Sequence, residues 1–192
     1  MNTFSDNLER LLKSKRVTIN EVIDTFKEKS FAILFLLLLA IPALPIPTGG
    51  VTHIFEIIAM LLSVELVAGR KTVWLPKKWL KKQLPQSLGE SALPRFLKII
   101  KWIERRSKPR LSRLQTNRLS LRAIGAVVFI FSAFAFVAPP FSGLDTLPSL
   151  GVVVLSLGVI LEDSLLSLIG LIIGCAGIGL VIFLGKAVLK LL

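Results

Sequence analysis

The sequence predicts an all-α, polytopic membrane protein: two Pro/Gly-broken helical hairpins, a basic amphipathic linker between them and a C-terminal transmembrane helix. Three observations predict it. Hydrophobic residues make up 53% of the 192 and mean hydropathy is +0.74, more apolar surface than a soluble domain of this length can bury. The apolar residues gather into long runs, each broken by proline and glycine at corresponding places. The charge is segregated: sixteen of the 24 Lys/Arg fall between Arg70 and Arg122, against two acids, Glu90 and Glu104.

Residues 1–30 form an N-terminal surface unit. FSDNLERLLKS (residues 4–14) patterns as an amphipathic helix with Leu8, Leu11 and Leu12 on one face. Thr18 and Glu21 have capping-box spacing and open a second helix over Asn20–Lys29, with Val22, Ile23 and Phe26 on one face. Both are expected to lie on the membrane surface or to pack on the basic segment. The unit is polar, so no cleavable signal peptide is expected and the membrane segments themselves direct insertion.

Residues 31–70 form the first hairpin. Phe31–Leu39 is uninterrupted apolar sequence; Pro42, Pro45, Pro47, Gly49 and Gly50 then break it, because proline lacks the donor a helix needs and clashes with the preceding turn. Val51–Gly69 returns and ends at Arg70-Lys71. Residues 71–122 are the basic segment, in which Trp74, Trp79, Phe96 and Trp102 alternate with Lys and Arg and Pro94–Arg106 patterns as an amphipathic helix. Residues 123–163 repeat the hairpin: apolar Ala123–Val137, a break at Pro139, Pro140 and Gly143, and a return over Leu147–Leu161 to Glu162-Asp163. Residues 164–192 contain the last apolar segment, long enough to span alone; Gly170 and Gly174 within it form a small-xxx-small helix-packing pair.

At a shift of 93 residues Pro47 falls on Pro140, Gly50 on Gly143, Ser63 on Ser156 and Arg70 on Asp163. Proline-broken repeated hairpins free backbone groups that must line a sheltered polar space. Basic residues at the entry (Lys27, Lys29) and exit (Arg70, Lys71) of the first hairpin place both ends, and segment 71–122, on the cytoplasmic side. The first apolar arm is too short to cross, so re-entry of a hairpin tip is expected.

Basic charge beside membrane segments points to anionic lipid headgroups rather than nucleic acid, for which no motif is present. The sequence carries no nucleophile–His–acid spacing, phosphate-binding loop or dinucleotide fingerprint. No enzyme activity, cofactor or metal is therefore expected. The candidate path residues lie on stripes. At 100° per residue Glu56, Ser63 and Arg70 share one face, joined by Thr52 and His53; Ser149, Ser156 and Asp163 share the matching face, with Asp145 one turn earlier. A polar seam facing lipid is costly, so the two seams should face each other, a cavity or a partner subunit. Glu56 is the strongest candidate to bind a proton, cation or cationic group, with His53 as relay or loop cap. Arg70 and Asp163 are candidates for an ion pair acting as lock or gate. Glu65 is expected to form an interfacial ion pair.

The order AIPALPIPTGG, a helix ending AGRKTVWLP, a basic tryptophan-bearing segment, FVAPPFSGLDTLPSLG and a helix ending LEDSLLSLIG resembles the ExoD exopolysaccharide-synthesis family, from about Val17 to the C-terminus. The resemblance implies a bacterial inner-membrane protein linked to exopolysaccharide production. Two readings follow. One is a small transporter or channel-like homodimer that moves an ion or small anionic solute. The other is a non-transporting accessory protein whose basic segment organises anionic lipid or a partner.

Overall fold

A computed structural model describes residues 4–13, 18–26, 29–44, 52–70, 72–74, 93–107, 117–139 and 142–191. Pro45, Pro47, Gly49, Gly50, Pro140, Lys27, Lys71 and Trp79 lie outside the described residues, as do the side chains of Leu11, Leu12, Val22 and Phe96. The described residues are all-helical: α1 (Phe4–Lys13), α2 (Ile19–Phe26), α3 (Ser30–Leu39), α4 (Thr52–Val67), α5 (Leu93–Arg106), α6 (Arg118–Val137), α7 (Thr146–Ile160) and α8 (Ser164–Leu191).

Local chemistry sets the ends of these helices. The Thr18 hydroxyl accepts from the Glu21 N–H and the Glu21 carboxylate accepts from the Thr18 N–H, a reciprocal box opening α2. α3 stops at Leu39 because Pro42 has no N–H to donate back to the preceding turn and its ring clashes with the carbonyl there. Asn117 caps α6 through the Leu119 N–H, and α6 ends before Pro139, as residues preceding proline disfavour helical backbone. α6 begins at Arg118, so Arg118 and Arg122 occupy its first turns instead of preceding it. Asp163 caps α8, its Oδ1 accepting from the Leu165 and Leu166 N–H groups.

α3, α4, α6 and α7 form a closed ring in which α3 packs on α4 and α7, and α6 on α4 and α7. The core at its centre includes Ile33, Leu36, Ala59, Leu62, Val128 and Val152. α8 packs along the outside of α7, with a smaller contact to α6. Glycine makes that approach possible: a Cβ on Gly151 would sit 2.5 Å from the Gly174 Cα, and one on Gly177 2.6 Å from Pro148. Gly170 lies against the Leu155 backbone, so the small-xxx-small pair is a helix-packing face.

The surface unit closes one end of the ring. α1 packs on α5 and α2 on α3, with Leu8 and Ile100 fully buried. Glu104 accepts from the Phe4 and Ser5 N–H groups. Glu9 bonds the half-buried Lys101, and that bond holds the Lys101 pKa above its ordinary value. Ser107 donates to Asp163 at 3.1 Å, pinning the end of α5 to the α7–α8 turn.

Among the described residues, two helices have the length and composition to cross a membrane: Arg118–Val137 in α6 and Ser164–Lys186 in α8. The outer faces of both are apolar, with Phe129, Ile130, Leu168, Ile172 and Phe183 exposed.

Candidate functional site

α4 turns most of its hydrophilic side chains inward, with the partly exposed Glu65 near its end as an exception. Thr52, Glu56 and Ser63 are at most 2% exposed, as are Ser149 and Ser156 on α7. The faces turned outward carry Ile54, Ile57, Leu61 and Val64 instead. Placing a carboxyl group there is expensive unless something meets it.

Glu56 is wholly buried, and its Oε2 lies 2.8 Å from His53 Nδ1 one turn earlier. Its other oxygen, Oε1, has no hydrogen-bond partner. The His53 ring stands edge-on to Phe136 of α6, centroids 5.3 Å apart, which fixes the imidazole over Glu56. Thr52 donates to Asp145 Oδ2 at 3.5 Å, joining the start of α4 to the start of α7. Ser149, one turn into α7 from Asp145, is buried with an unpartnered hydroxyl, and so is Ser132, one turn from Phe136 on α6. Two carboxyl groups, one imidazole and the Thr52 hydroxyl therefore lie near the tip of an otherwise apolar ring, with the Ser149 and Ser132 hydroxyls one turn along α7 and α6 from Asp145 and Phe136. A group that binds or passes a proton suits this arrangement, since the carboxyl and imidazole share a hydrogen bond whose proton can sit on either.

The other candidates are placed elsewhere. The Ser63 hydroxyl donates to the Met60 carbonyl of its own helix at 2.6 Å, and its backbone forms the seat for Gly125 of α6. Ser156 and Arg70 line a cavity of about 30 Å³ at the opposite end of the ring, with Phe31, Phe35, Leu66 and Leu121 among its walls, room for a water or two. Arg70 lies over the Trp74 ring, 5.4 Å to its centroid, whereas Asp163 caps α8 and accepts from Ser107. Glu65 differs from the expected ion pair: its Oε2 accepts from the Trp74 N–H at 2.9 Å, so it holds the chain leaving α4 through a backbone bond. Pro139 and Gly143 bound the turn before α7, with Gly143 at φ +68°. No group of three or more His, Cys, Asp or Glu side chains able to hold a metal occurs among the described residues.

Ser132 and Phe136 were not singled out from the sequence. The signal was present: Gly125, Val128, Ser132 and Ala135 recur at helical spacing and all face inward. A lone serine in an apolar run reads as inert without its neighbours across the ring.

A family model described as "Exopolysaccharide synthesis, ExoD" matches residues 4–183. An uncharacterised protein of Synechocystis sp. is 29% identical over 156 residues, 81% of this chain and 73% of its own. Protein ExoD of Rhizobium meliloti is 27% identical over 170 residues, 85% of this chain and 70% of its own. No solved structure matches.

Proposed function

We propose that this chain, which belongs to the ExoD family, is a bacterial inner-membrane protein of exopolysaccharide synthesis that passes a small ion through its four-helix ring. Glu56 is the group that binds the ion, and the proton is the ion its chemistry suits best. One observation carries the reading: a carboxyl group sits fully buried among apolar helices, one oxygen on His53 and the other unpartnered. Inside a membrane such a carboxyl is destabilising by several kcal/mol unless it serves a pathway or finds a partner. The lipid-type surfaces of α6 and α8 and the basic cytoplasmic end supply the setting.

Proteoliposomes loaded with a pH-sensitive dye test it, with potassium and a small anion as parallel solutes. Flux is expected in the natural protein and lost in Glu56→Gln, which keeps the size and polarity of the side chain. Absence of flux for every solute, or flux indifferent to Glu56→Gln, refutes the reading.

A second reading, an accessory protein that organises anionic lipid, is favoured by α5. Lys98, Ile99, Trp102, Arg105 and Arg106 are all exposed on one face of this helix, and the Arg106 guanidinium stacks over Trp102 at 4.3 Å. An aromatic-cationic face suits a bilayer rich in phosphate headgroups. Anionic lipid retained by the natural protein and lost in Trp102→Ala/Arg105→Gln, together with no flux, selects it.

A further inference from the structure

Pairs of residues 93 apart do the same work in the two hairpins. Gly69 and Glu162 close α4 and α7, and each has left-handed backbone, φ +88° and +56°. Lys29 and Arg122 are also 93 apart, and each meets the other hairpin at that closing turn. Lys29 donates to the Ile160 carbonyl at 2.8 Å and to Glu162 at 2.9 Å. The Arg122 guanidinium lies over Gly69, 3.1 Å from where a Cβ would stand. The helices exchange in the same sense: α3 packs on α7, and α4 on α6. At the tip, Thr52 and Asp145, again 93 apart, touch each other. A residue touching its own counterpart marks the position of a two-fold axis.

One turn further in, on the same face of each helix, stand Glu56 and Ser149, also 93 apart. Both are 0% exposed, and both keep an unpartnered oxygen, Glu56 Oε1 and Ser149 Oγ. A buried polar atom without a partner is destabilising, and here the same helix position is left open twice, in two helices whose aligned residues are mostly different. The sequence seam Ser63/Ser156 continues the equivalence, with both residues buried.

We propose that the hairpins are related by an internal two-fold axis passing between Thr52 and Asp145, and that Glu56 and Ser149 are the two halves of one proton-binding site on it. The carboxyl group then belongs to the site, not to one helix, and it works from either half. This deepens the ion-passing reading but does not depend on flux for its test. Among the described residues, His53 of α4 and Asp145 at the start of α7 are the titratable groups that act on Glu56.

The experiment moves the carboxyl across the axis. Natural protein, Glu56→Ser and the exchanged pair Glu56→Ser/Ser149→Glu are purified in detergent, and thermal midpoints are measured from pH 4 to 9. The natural protein should show a titration step, Glu56→Ser should lose it and the exchanged pair should regain it. The same three proteins are then assayed for proton flux. A folded exchanged pair with no regained step overturns the two-fold site, as does a natural protein whose midpoint lacks the step. A regained step in proteins that carry no flux leaves this site standing and overturns the transport reading alone. Glu56→Gln/Ser149→Asp, with a shorter acid, replaces the exchanged pair if that pair fails to fold.

Discussion

Glu162 and Gly69 end equivalent helices with left-handed backbone, yet only one of them is a glycine. For an L side chain that conformation costs about 1–2 kcal/mol, and asparagine tolerates it better than alanine. Gly69→Ala is therefore expected to lose about 1–2 kcal/mol, read as a lower thermal midpoint in detergent, while Gly69→Asn recovers most of it. An alanine variant with an unchanged midpoint would contradict the left-handed closure. The glycine was visible in the sequence as the end of an apolar run before Arg70. Glu162-Asp163 was visible too as the end of the second run, but the left-handed backbone at Glu162 was not, because glutamate carries no signal for it. Similarly, the inward side of Glu56 could be read from the stripe it shares with Ser63. That its second oxygen is left without a partner depends on neighbours from α6 and α7 that no local pattern specifies.

Among the helices, α7 and α8 make the tightest contact, and glycine decides it. A methyl group on Gly151 would press on the Gly174 backbone, whereas Gly179 and Gly185 further along α8 have nothing within 4 Å. Gly151→Ala should force the helices apart, at about 1–3 kcal/mol for an overpacked interior. Gly179→Ala should do the opposite, stabilising by up to about 1 kcal/mol through helix propensity alone. Thermal midpoints of the two variants check the pair, and a shift in the same direction for both would show that the glycine seam does not set this packing. Helix existence was legible here because the apolar runs and the Pro42 and Pro139 stops act within a few residues. The partition of contacts was less so. The amphipathic patterns left open whether α1 lies on the membrane or on the basic segment; α1 packs on α5, with Leu8 and Ile100 buried and Glu9 on Lys101, leaving the Ile99–Trp102 face outward. That division depends on residues nearly a hundred positions apart, which periodicity does not see.

For the whole molecule, helix lengths fix depth. From Arg122 to Val137, α6 rises about 22 Å at 1.5 Å per residue, and its base carries the cations Arg118 and Arg122 in its first turns. The hydrocarbon core of a bilayer is about 30 Å thick. The expected placement, with the basic end at cytoplasmic headgroups, would leave the tip bearing His53, Glu56 and Asp145 within the membrane and both hairpins re-entrant. α8 alone continues: Gly177 is level with Pro148 near the start of α7, and the helix runs on to Leu191, about another 20 Å. That placement would put the site near the far side but beneath it, a depth that suits the proposed proton site. Cysteine scanning in a Cys175→Ser background measures this in intact cells with a membrane-impermeant maleimide. Lys186→Cys, beyond the tip on α8, should label from outside. Asn117→Cys, at the basic end, should label only after the membrane is opened. Ser142→Cys, in the turn before α7, should label far more slowly than Lys186→Cys; equal rates at the two would mean that the hairpins cross completely and that Glu56 is held at an open surface.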